Sequence, residues 1–147
     1  MNSDTAFTIL NSSVLLPWLL MAVAPKWKFT QQMIASKWPV LLYALVYGGL
    51  LVMIAMTTNN SSMDFMSLQA IKAAFGQDQV MLLGWVHYLA FDLFVGMWEL
   101  QDSQERGVPH YMLVPCLIFT LMYGPVGLLL YAIVRYFYPS KEAKPAT

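Results

Sequence analysis

The sequence predicts an all-α integral membrane fold: a bundle of four spanning helices, with a short interfacial helix between spans two and three. Three observations carry that expectation. Hydrophobic residues make up 59% of the 147 and charged residues only 11%, well below the charge content of a soluble domain. Apolar runs at 6–24, 39–58, 79–101 and 112–138 each reach the length needed to cross a hydrocarbon core of roughly 30 Å. Their connections are short, as between antiparallel neighbours in an up-down bundle. Residues 1–138 thus form a single transmembrane domain, and the polar stretch 139–147, "PSKEAKPAT" from Pro139, is expected to be a disordered tail. Zero formal net charge argues against a nucleic-acid partner and leaves membrane lipid as the surroundings.

The first run ends in "AVA", Ala22 to Ala24, which mimics a signal-cleavage site. No Lys or Arg precedes the run and Pro25 follows the cut, so the segment is read as a retained helix. Without an Arg- and Ser-rich transit segment, a bacterial inner (cytoplasmic) membrane is the expected location. Between spans one and two, "PKWKFTQQMIASKW" carries lysines and tryptophans suited to a headgroup interface. In span two, Ala44 and Gly48 stand in a small-xxx-small relation that lets another backbone approach. After span two, Phe65, Leu68, Ile71 and Phe75 fall at helical spacing, hence the interfacial helix. The fourth run is over-long, and "YGPVG" at 123–127 predicts a helix bent at Pro125. Counting bases by side gives a tie, with Arg106 and Arg135 on opposite faces; the first hairpin's lysines favour both termini outside the cytoplasm. Cys116, the lone cysteine, reads as a packing residue.

The third run holds the chemistry. Asp92 lies near its middle, where an ionised Asp costs about 2.5–3.5 kcal/mol, so it is expected to face protein. Tyr88, Asp92, Glu99, Asp102 and Arg106 follow steps of four, seven, three and four and share one helical stripe. Trp85 extends the stripe, and Phe91, Phe94 and Trp98 surround it. The helix is expected to stop after the Asp102–Arg106 pair, at Gly107 and Pro109. His87 sits about 140° round the helix from Asp92. His110 can fold back toward Glu99 or Asp102. Two histidines and three carboxylates can hold a divalent metal, but no defined ligand spacing is present, so no cofactor is expected and metal stays an alternative. A neutral Asp92 bonded to Asn11, Ser12, Ser13, Tyr43 or Tyr47 is the purely structural alternative.

"GWVHYLAFDLFVGMWELQDSQERG", 84–107, and "PCLIFTLMYGPVGLLLY", 115–131, resemble the neoxanthin synthase (abscisic-acid-deficient) family of membrane proteins and its bacterial relatives, with a looser match over 6–138. The resemblance implies a membrane isomerase, or an essential component of one, acting on an epoxidised carotenoid or related isoprenoid and yielding an allene. Such chemistry needs an acid at the epoxide oxygen and a base at a vinylic C–H. The expected catalytic residues are Asp92 and Glu99, with His87 third; Trp85, Tyr88, Phe91, Trp98, Asp102 and Arg106 are expected to bind substrate. A pigment- or lipid-binding module without chemistry is one alternative. Another is a small proton-coupled carrier, for which four helices would call for a homodimer.

Overall fold

The computed structural model describes residues 2–57 and 66–139. Among them the secondary structure is entirely helical: α1 (Ser3–Ser13), α2 (Leu15–Val23), α3 (Lys28–Ser36), α4 (Trp38–Thr57), α5 (Leu68–Phe75), α6 (Asp78–Arg106), α7 (His110–Tyr123) and α8 (Pro125–Tyr136). Three segments are long and apolar enough to cross a membrane: Ser3–Val23, Trp38–Thr57 and Asp78–Arg106. Residues 140–147 of the expected polar tail and Phe65 lie outside the described residues.

The chain gathers into two compact units. The first comprises Met1–Val14 and Pro39–Phe91. Here α1 is held to α4 by Tyr43, a buried side chain whose hydroxyl lies 2.8 Å from the Leu10 carbonyl and 2.8 Å from Ser13 Oγ. The indole of Trp85 donates to Asn11 Oδ1 at 3.2 Å, and Phe7 packs on the same ring. α5 is capped by Ser67, whose hydroxyl accepts from Ala70 N–H, and it ends with Phe75 over Gly84. A methyl group on Gly84 would come 2.7 Å from that ring, so glycine is what lets the short helix dock.

The second unit comprises Leu15–Trp38 and Asp92–Thr147. Trp18 of α2 is 5% exposed and packs against Gly96 of α6, where any Cβ would strike its six-membered ring. α3 is fastened by Lys37, in the left-handed conformation at φ 54°, whose Nζ reaches the Ile34 carbonyl and Gln101.

The fourth run departs from expectation. A helix bent at Pro125 is replaced by two helices folded back on each other at Gly124. Tyr138, just beyond α8, donates its hydroxyl to the sulfur of Met112 in the first turn of α7, at 3.4 Å. Gly127 lies directly on the backbone of Thr120, with no room for a Cβ. Arg106, at the end of α6, donates to the Tyr138 carbonyl at 3.2 Å, so the chain leaves the hairpin at the end where it entered. The physical cause is local. Gly124 takes φ +47°, a left-handed value costly for other residues, Pro125 brings no N–H to continue α7, and Gly127 permits backbone contact. Helices of 14 and 12 residues rise only about 21 and 18 Å, too little for a crossing.

Candidate functional site

Fifteen residues of α6, Asp92 to Arg106, run alongside the hairpin, and three carboxylates meet it at three depths. Asp92 reaches the tip. A Cβ built on Gly124 would lie 2.9 Å from its Oδ1 and 3.1 Å from its Oδ2, so the turn's bare Cα is what accommodates this carboxyl. That turn is also the N-terminus of α8, where the aligned peptide dipoles favour negative charge.

Two helical turns further along, Glu99 is fully buried, at 0% exposure. The hydroxyl of Thr120, from the last turn of α7, donates to it, with Oγ1 at 2.9 Å from Oε1 and 3.1 Å from Oε2. Thr120 is equally buried. A single neutral donor therefore serves both oxygens.

Asp102 is treated differently. Arg135 of α8 grips it with two parallel bonds, Nε to Oδ2 at 2.8 Å and Nη2 to Oδ1 at 3.1 Å. Arg106 Nε adds 2.8 Å to Oδ2, and the Tyr131 hydroxyl 2.7 Å to the same oxygen. Trp98 completes the cluster: its ring meets Tyr131 edge-on at 5.5 Å and lies beneath the Arg135 guanidinium at 5.3 Å. Two ion pairs, from Arg106 and Arg135, thus converge on Asp102.

The expected site residues thus divide. Asp92, Glu99, Asp102, Arg106 and Trp98 stand in the second unit along the hairpin. His87, Trp85, Tyr88 and Phe91 belong to the first, where Trp85 pairs with Tyr88 at 5.3 Å and the exposed His87 ring stacks on Phe91 at 4.5 Å and faces Tyr47 at 5.7 Å. His110, expected to fold toward Glu99 or Asp102, instead places Nε2 2.8 Å from the Ala22 carbonyl, because it opens α7 beside the end of α2. Asn11 and Ser13, offered as partners for Asp92, are engaged by Trp85 and Tyr43. No group of three His, Cys, Asp or Glu that could hold a metal occurs among the described residues. Sequence reasoning missed Thr120, Tyr131 and Arg135. The available signal was Arg135 itself, a guanidinium inside an apolar run, four residues after Tyr131 on one helical face.

This geometry defines a class: a small all-helical protein of membrane-spanning composition that buries carboxylates against a helical hairpin. Within that class, the chain belongs to the ABA DEFICIENT 4-like family, whose model matches residues 5–131. It is similar to Protein ABA DEFICIENT 4, chloroplastic, of Arabidopsis thaliana, at 26% identity over 140 residues, covering 90% of this chain and 61% of that relative. No solved structure matches the chain.

Proposed function

We propose that this protein resides in a membrane and isomerises a hydrophobic isoprenoid of the carotenoid class by acid–base chemistry, opening an epoxide to an allene. Family membership supports the carotenoid-related role, and the carboxyls at the hairpin support the chemistry. The observation that carries the reading is Glu99: a fully buried carboxyl served by one neutral hydroxyl, on the same helix face as Asp92. In the proposed step one carboxylate removes a vinylic proton and the C–H electrons form the second double bond of the allene. As that double bond forms, the epoxide C–O bond at the same carbon breaks, and its oxygen takes a proton from the other carboxyl group. The product has the mass of the substrate, so no oxidant is needed. Asp92 and Glu99 take the two roles, and His87 is given no step.

The membrane arrangement we propose is three crossings and a re-entrant hairpin, in place of a four-helix bundle. All described basic residues of the second unit, Lys26, Lys28, Lys37, Arg106 and Arg135, then lie toward the end where the hairpin enters and leaves. The positive-inside tendency turns that end toward the compartment of synthesis, the cytoplasm in a bacterial inner membrane. Reporter fusions after Tyr138 should read cytoplasmic; a fusion reporting the opposite face would reverse the arrangement.

The decisive assay supplies an epoxidised xanthophyll to the full-length protein in lipid vesicles and follows the pigment by chromatography and mass. An equal-mass product with an allenic infrared band is expected. Recovery of bound but unaltered pigment would make the protein a binding module instead.

A further inference from the structure

A second feature of the second unit lies away from Asp92 and Glu99. Where α2, α3, α6 and α7 come together at the basic end, the surface opens into a cleft of about 410 Å³. That is within the roughly 300–1,000 Å³ of small-ligand sites. Its polar lining comes from Lys26, Gln31, Ser103, Gln104 and His110. We propose that this cleft binds a phosphate-bearing anion, with the headgroup of an anionic glycerophospholipid as the source its position fits.

The argument is one of charge and depth. Lys26 is exposed and projects a cation at the cleft, with Lys28 next but one in the chain. Of the two carboxylates that flank Ser103 and Gln104, Asp102 is already neutralised by two guanidiniums, and Glu105 is exposed to solvent and accepts from the Gln101 amide, so neither presents a buried, unpaired charge to a second anion. The amides of Gln31 and Gln104 hold each other at 3.1 Å, and both turn toward the Pro25 carbonyl, which fixes the wall of the cleft and the chain beside Lys26. α3 and α7 both begin here without a side-chain cap, and their positive ends add to the field without defining the site. Depth comes from Trp27 and Phe29, adjacent rings 5.4 Å apart that are 56% and 43% exposed. Tryptophan is enriched at the headgroup level of a bilayer, and the exposed ring of Trp27 fits that depth. A cationic cleft at that level meets lipid phosphates first.

The proposal is independent of turnover and is tested without it. Native mass spectrometry of the full-length protein would be run against phosphatidylglycerol, phosphatidylcholine and inorganic phosphate, with helicity and monodispersity checked for each variant. Phosphatidylglycerol should be retained over phosphatidylcholine. Lys26→Gln should weaken that retention about fivefold, as expected for one lysine near a charged surface, and Gln104→Glu, which places a carboxylate in the cleft, about tenfold. Lys72→Gln, in the other unit, should leave it unchanged. Binding of inorganic phosphate with the same dependence on Lys26 and Gln104 would support the site and identify a soluble ligand. Equal retention of the two lipids with no phosphate bound, or folded cleft variants that bind as the parent does, would overturn it.

Discussion

Glu99 and Asp102 stand three residues apart on one helix, face the same hairpin, and are handled in opposite ways. Asp102 receives two guanidiniums and a phenol, a set that satisfies a full negative charge and ties α6 to α8. Glu99 receives one hydroxyl. A carboxylate surrounded by cations is held in one protonation state and one place, and its worth is mechanical. A carboxyl met by a neutral donor in a dry site can exchange a proton without breaking an ion pair. The contrast teaches that burial alone does not mark a functional acid; the charge of its partners does.

The comparison can be broken most forcefully at Asp92 and Glu99. Asp92→Asn and Glu99→Gln should each lower the proposed isomerisation by on the order of 10²–10⁴-fold, as for loss of a general acid or base, while Glu99→Gln, whose amide oxygen still accepts from Thr120 but whose buried NH2 gains no acceptor, lowers unfolding stability by about 1–2 kcal/mol. Product chromatography and unfolding in detergent read the two halves, and retained turnover in both variants would sink the assignment. At Asp102 the balance should invert. Asp102→Ala leaves two guanidiniums facing each other beside Tyr131 and should cost about 3 kcal/mol, the low end for a broken buried pair because Arg135 is partly exposed. A melting temperature within a degree of the parent would show that the cluster does not hold the hairpin. Gly124→Ala comes next: a left-handed backbone worth about 1–2 kcal/mol of strain, together with a methyl against the Asp92 carboxyl, should lower both stability and turnover. Turnover falling with no loss of stability would separate the two effects. The smallest change is expected at Glu105, exposed and bonded only to the Gln101 amide among its described hydrogen bonds, where Glu105→Gln should shift stability by less than about 0.5 kcal/mol.

Much of the fold was legible in the residues. Length and hydropathy alone marked the three crossing-length helices, because hydrocarbon demands both. The fourth run defeated the same reasoning: the 27 residues from 112 to 138, with Arg135 their one charged member, read alike whether they form one long helix or two short ones. Hydropathy carries no direction. The discriminating marks were Gly124, Pro125 and Gly127 together, which a bent helix does not require and a tight reversal does. The error spread to Arg135, placed opposite Arg106 because the run between them was taken to cross; both instead bind Asp102. At the site, helical periodicity put Asp92, Glu99 and Asp102 on one stripe, since that needs only 3.6 residues per turn. It gave no access to Thr120, because which hydroxyl faces a carboxyl is fixed by the register of α7 against α6.

Ribosomal order gives the Asp102 cluster a further meaning. Arg106 emerges four residues after Asp102, and Arg135 thirty-three after it. The nascent chain therefore carries a half-satisfied carboxylate until α7 has turned and α8 has been made. Closing that clasp waits on the synthesis of α8, and a chain terminated before Arg135 would display an unfinished one.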